Sequence, residues 1–354
     1  MALATSWLAI LSAPPLHAEP APFMMRATVN GRVVEGQPLT WNRQQILLLA
    51  RDGALHEFHP DDAKDASKTA ARFVSYTNDE IQSRLREEFG RAFEVSTTAH
   101  FVVVHPRDWN DWADRLESLY RSFTHYMGVR GFQIAPPTTT LVAIVFRNQD
   151  DYYRYAAAGG TALATGTMGH YDPTSNRIYL FDVHGGAADA DWSANAETII
   201  HEATHQTAYN TGVHRRFAEQ PRWLVEGLAM MFEAPGVWGA ASHHTPADRL
   251  NRERLSYYHG TGEQRSSDWI TPLVASDAGF DATPLTAYAE TWMLTFYLCE
   301  TRPLEYSQYL ARVASRETFS KYLPHERLTD FTAAFGRDLS LIAAQLGRFA
   351  AELP

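Results

Sequence analysis

Two histidines four residues apart, His201 and His205 in "AETIIHEATHQTAYN" (residues 196–210), carry the strongest chemical signal in this 354-residue chain. Side chains at i and i+4 share one face of a helix, so both imidazoles can converge on one ion while Ile199 and Ile200 anchor the helix. Imidazole nitrogen suits zinc. A catalytic zinc site needs three protein ligands and an open fourth position for water. A third ligand stands at a suitable distance in "PRWLVEGLAMMFEAPG" (residues 221–236). There Glu226 interrupts an apolar stripe of Leu224, Leu228 and Met231. An isolated carboxylate costs several kcal/mol to bury, so Glu226 is expected to be solvated or bound to a cation. Gly227 beside it leaves room for another helix to come close.

Pro221 suits the first position of that helix, and Pro235-Gly236 ends it. Upstream, residues 24–58 read as a small β unit with turns at Asn30-Gly31 and Asp52-Gly53. The polar stretch 59–70 reads as a linker. Thr77 and Glu80 form a capping box for a helix carrying Ile81, Leu85 and Phe89, which stops at Gly90. From about residue 96 the pattern is mixed α/β. "HFVVV" and "TTTLVAIVF" read as strands, with a helix between them that carries Trp109, Trp112, Leu116, Leu119, Phe123 and Met127. "DDYYRYAAA" follows as a short helix, and "GTMGHYDPTSNRIYLFDV" as two strands joined by a turn. Beyond residue 236 the chain is mostly helical, notably at 285–300, 307–316 and 337–352. The expected division is a small β domain at 19–60, a linker and helix at 61–95, an α/β part at 96–235 holding both motif helices, and a helical part at 236–354.

H-E-x-x-H followed by W-L-x-E-G-x-A-x-x-F-E resembles the gluzincin metallopeptidases, most of all the peptidase-MA-like families of bacterial proteins. The match is tight over Thr198–Glu233 and loose over roughly 96–300. It implies an α+β, thermolysin-like zincin fold and one Zn2+ per chain on His201, His205 and Glu226. It also implies Glu202 as general base and a peptide or protein as substrate. The chemistry of the residues agrees. Zinc on two neutral imidazoles and a carboxylate lowers the pKa of water toward ~7. Glu202 follows His201 directly, so it is placed to take that proton and pass it to the leaving amine.

Such a reaction also needs a donor for the tetrahedral oxyanion. The candidate is Tyr288 in "LTAYAETWMLTFYL", since aminopeptidases of this group carry a tyrosine on a comparable later helix and Y-A-x-x-W is similar to the MA-like pattern. The competing reading is a core aromatic like Trp292 and Phe296. His243, His244, Tyr257, Tyr258 and His259 are rival donors. "GTMGHYD" or "RIYLFDV" could be the edge strand that takes an extended peptide. Gly166–His170 is only partly similar to the G-x-M-x-N of clan aminopeptidases and lacks the glutamate that recognises a free N-terminus. His170 and His184 read as strand or loop histidines. Glu233 fits either a partner of the metal site or a solvated helix end, and Asn210 and Glu290 have no assigned role.

The rest of the sequence bounds these readings. The net charge is −10 and no run of Lys or Arg exists, which argues against a nucleic-acid partner. Residues 1–18 read as a secretory segment cleaved after Ala18, so export to the periplasm or beyond is expected. They are too short for a membrane span, and no later run reaches that length. Cys299 is the single cysteine, which excludes an internal disulfide and thiolate clusters, and its apolar setting predicts burial. The rival functional class is an exported binding or scaffold protein that keeps the zincin fold without turnover.

Overall fold

The structure, a computed structural model, describes residues 23–107, 111–182, 193–239 and 245–354. The expected export segment, Trp109, His184, His243 and His244 lie outside the described residues. Among the described residues the protein is mixed α/β, with two sheets and a helical C-terminal part. It forms two compact units: residues up to Glu117 with Pro137–Asn195, and Ser118–Pro136 with Ala196–Pro354. The expected 96–235 part has its sheet strands in the first unit and its two motif helices in the second.

In the first unit, β1 (Met24–Val29) and β2 (Arg32–Trp41) form a hairpin. Asn30 and Gly31 turn it with φ of 49° and 78°, the left-handed pair that suits the twist of flanking strands. β3 (Ile46–Ala50) and β4 (Leu55–Phe58) continue the antiparallel sheet. The stretch read as a linker is instead β5 (Ala63–Ala70), antiparallel to β1, giving the order β4-β3-β2-β1-β5. Its residues "AKDASKTA" lack an apolar alternation because this edge strand buries almost nothing. Its lysines are the side chains that protect an exposed edge. Met25, Ala27, Val29, Ile46, Leu48 and Phe58 make the core of this sheet.

α1 (Asn78–Phe89) opens on the expected Thr77–Glu80 capping box and ends at Gly90. The second sheet holds β6 (Phe93–Thr97), β7 (Phe101–Pro106), β8 (Leu141–Phe146), β9 (Gly169–Asp172) and β10 (Arg177–Phe181), in the order β6-β7-β8-β10-β9. β7, β8 and β10 run parallel, and β6 and β9 are antiparallel edges. Strand β6 was not expected from the sequence. Of the two segments expected as a possible edge, "GHYD" is one and "RIYLF" is interior. α2 (Trp112–Val129) and α3 (Gln149–Ala158) follow β7 and β8 as crossovers. His170 is a strand histidine, as expected: its Nδ1 lies 2.7 Å from Tyr152 Oη, and its ring stacks on Tyr179.

The second unit is built on α4 (Ser193–Asn210), α5 (Arg222–Glu233), α6 (Pro235–Trp238), α7 (Arg252–Gly260), α8 (Ile270–Ala275), α9 (Ala278–Ala282) and α10 (Pro284–Thr301). α11 (Pro303–Ala314), α12 (Pro324–Phe335) and α13 (Leu339–Ala351) complete it. Every residue of α5 from Trp223 to Glu233 is buried, the mark of a helix enclosed on all sides. Trp223 stacks on Tyr309 and meets Phe331 edge-on, while Phe232 packs against Phe123 and Tyr126. Gly227 allows α10 to approach, since a Cβ there would collide with the Thr295 hydroxyl. Cys299 is buried, and that burial pushes its thiol up to about 12, which makes it inert. Among the described residues no helix is long and apolar enough to cross a membrane.

Candidate metal centre

The i, i+4 spacing does on α4 what helix geometry requires: His201 and His205 project from one face and are both buried. α5 brings the Glu226 carboxylate, 0 % exposed, to the same point. One donor atom from each of the three lies within 4.8 Å of the other two. His201 Nε2 and His205 Nε2 are 3.0 Å apart, and Glu226 Oε2 is 3.3 Å and 3.9 Å from them. Donors about 2.0–2.1 Å from a tetrahedral zinc lie about 3.3 Å apart. The observed separations bracket that value, so the three side chains fit a zinc ion.

The electrostatics point the same way. Burial lowers His201, but hydrogen bonds to Glu226 and Glu233 outweigh it and hold the imidazole well above its ordinary range. Burial and the neighbouring His201 charge push His205 down. Burial raises Glu226, yet the His201 hydrogen bond and the His205 charge leave it below the usual carboxylate range. The buried set thus keeps one proton on His201 to balance Glu226. A cation at the convergence point would do the same with three bonds, releasing that proton.

His201 Nδ1 lies 2.8 Å from Glu233 Oε1. A carboxylate only accepts, so Nδ1–H is the donor, and Nε2, which faces the convergence point, becomes a ligand once a cation displaces its proton. Glu233 is therefore a partner of the site and not a solvated helix end. Its other oxygen accepts from Asn251 Nδ2 at 2.6 Å. The sequence signals Asn251 only as the cap of α7, a role it also fills. His214, not anticipated either, is buried against Tyr209 and held neutral by that burial, down to about 3.

Glu202 is buried on α4 beside His201, and its charge contributes to holding His201 up. Tyr288 is buried on α10, where its oxygen accepts from Arg222 Nη2 at 3.0 Å and its ring meets Phe280 edge-on. Arg222 lies one turn before Glu226 and helps lower that carboxyl, so it links the phenol to the ligand helix. Of the rival donors described, Tyr257 and His259 are exposed. Tyr258 lies under the Arg265 guanidinium, 3.6 Å from its ring centre, and against Trp269. Glu290 pairs with Arg265 at 3.0 Å, and Asn210 donates to the Gln206 carbonyl on its own helix.

Residues 195–320 match the model of a family described as "Protein of unknown function (DUF1570)". No curated protein matches the chain. Among solved structures it is similar to two crystal structures of a glutamate-to-alanine mutant of an M1 zinc metallopeptidase from Deinococcus radiodurans, one with a Tyr-Ser-Ala substrate bound. In each case identity is 12%, the TM-score is 0.41, and the match covers 72% of this chain and 51% of that one. The chain spans about half the length of those structures.

Proposed function

We propose that the chain is a zinc-dependent peptidase, with His201, His205 and Glu226 as ligands and Glu202 as general base. The observation that carries the reading is the convergence of three buried donor atoms within 4.8 Å, with Glu202 buried between the two histidines in sequence. Bound zinc supplies a Lewis acid that brings the pKa of water toward ~7 and polarises a carbonyl. With zinc held by His201, His205 and Glu226, the Glu202 carboxylate would hold the proton of the attacking water and pass it to the leaving amine, which a site serving structure alone would not require. Glu233 and Asn251 hold the His201 ring in its metal-facing tautomer. Export from the cytoplasm belongs to the same proposal and rests on residues 1–18.

The test is zinc analysis of the full chain together with hydrolysis of a broad peptide library. Stoichiometric zinc with chelator-sensitive cleavage supports the reading. Zinc without cleavage of any peptide favours the binding or scaffold protein instead.

Two expected results follow from the supporting residues. Glu233→Ala removes the carboxylate that orients His201, and zinc affinity should fall by about 10- to 100-fold. Competition with a chromophoric chelator measures it, and an unchanged affinity would return Glu233 to a packing role. Tyr288 serves in this proposal as the oxyanion donor, its phenol polarised by Arg222. Tyr288→Phe keeps the ring and removes the donor, so kcat should drop by about 10²–10³ with little change in KM. A core-aromatic role predicts an unchanged kcat and an effect on melting temperature only.

A further inference from the structure

One nearly buried cation of the second unit has no task in this scheme. The other arginines there with a buried Nε, Arg222, Arg249 and Arg316, each donate from Nη2, to Tyr288, Glu300 and Glu326 respectively, and two more are held by several bonds. Arg327 binds Glu219 at 2.8 Å, Asp277 at 2.9 Å and the Tyr322 carbonyl at 3.0 Å. Arg265 binds Glu290 at 3.0 Å and the Tyr258 carbonyl at 2.6 Å. Arg254, whose side chain is 9% exposed, differs. Among the described residues none of its side-chain donors makes a hydrogen bond, and its Nε is buried without a partner. Its one ion pair runs from Nη1 to Glu253 Oε1 at 4.0 Å, and the Glu253 side chain is 67% exposed, so the pair contributes little. Nε is thus buried without a partner, and the terminal nitrogens, which no carboxylate engages closely, are open to an anionic ligand.

Its position is tied to the metal centre. The Arg254 backbone N–H donates to Asn251 Oδ1 at 3.1 Å, Asn251 Nδ2 donates to Glu233 Oε2, and Glu233 Oε1 accepts from His201. Its charge also lowers Glu197, one turn before His201, against the burial that raises that carboxyl. Its Cζ lies 5.7 Å from the centre of the Tyr288 ring, and that of Arg222 lies 5.8 Å from it. Arg222 is committed to the Tyr288 oxygen and to Asp281. Arg254 is not.

We propose that Arg254 receives a carboxylate of the substrate, so that the site prefers peptides carrying one near the cleaved bond. The rigid fork of a guanidinium matches a carboxylate with two parallel N–H donors. Glu197 and Glu253 nearby disfavour a doubly charged phosphate against a singly charged carboxylate. The proposal rests on the peptidase reading for the identity of the ligand as a peptide. The carboxylate comes either from an acidic side chain or from a free C-terminus.

The test uses zinc-loaded full-length Glu202→Gln protein and fluorescent peptides in matched pairs, read by anisotropy. One arm compares Glu with Gln in a C-terminally amidated peptide, and the other compares a free with an amidated C-terminus in a neutral peptide. In one arm the carboxylate twin should bind about 10- to 100-fold more tightly, as expected for charge-assisted bonds, and that arm names the source. Adding Arg254→Gln should collapse the ratio to near one. If that variant does not fold, Arg254→Lys decides, and should keep part of the preference. No preference in either arm, or a preference that survives the loss of Arg254, overturns the proposal. Cleavage by the wild type without such a preference leaves the peptidase reading standing and removes this one. Arg254-dependent binding with no cleavage of any peptide does the reverse.

Discussion

Glu202→Gln should lower kcat by about 10²–10⁴ on any peptide that the wild type cleaves, while zinc content stays at the wild-type level. The amide has the size and shape of the carboxylate but cannot accept a proton at neutral pH. It is not among the three side chains whose donor atoms converge. Because Glu202 is buried in α4 beside His201, the isosteric change keeps the packing and isolates the chemical role. Measuring kcat and zinc content on the same preparation separates a lost base from a lost metal. Near-wild-type turnover would remove Glu202 from the mechanism.

His205→Ala has the largest effect expected on the metal itself. It removes one of three donors and leaves Glu226 buried with only His201 Nε2 from the ligand set, 3.3 Å away. Zinc should fall from about one per chain toward none by elemental analysis. Stability should follow, because an ion that binds the native state alone adds about 4 kcal/mol when present at a thousand times its Kd. The melting temperature of the variant should therefore match that of chelator-treated wild type, and added zinc should not raise it. Equal zinc in the two proteins would remove the ligand assignment.

What the sequence determined by itself was local. The i, i+4 histidines, the Thr77–Glu80 cap and the Asn30-Gly31 hairpin each depend on a few neighbouring residues, and each forms as read; α5 differs slightly, with Pro221 at its cap rather than its first position and Pro235-Gly236 opening the next short helix. Glu226 was legible as a problem, a carboxylate inside an apolar helix. The tertiary structure turned it into a donor facing two imidazoles. The rest needed partners distant in sequence. β5 is a strand because β1 offers it backbone hydrogen bonds, and its own side chains say nothing of that. Glu233 belongs to the site because helix packing sets it 2.8 Å from His201 and 2.6 Å from Asn251, and the sequence alone allowed a solvated helix end equally well. Arg254 is one arginine among many until the fold buries it beside Tyr288 without a hydrogen-bonding partner among the described residues. Periodicity and capping act within one turn or one hairpin, whereas burial and the pairing of charges are decided only when separate helices meet.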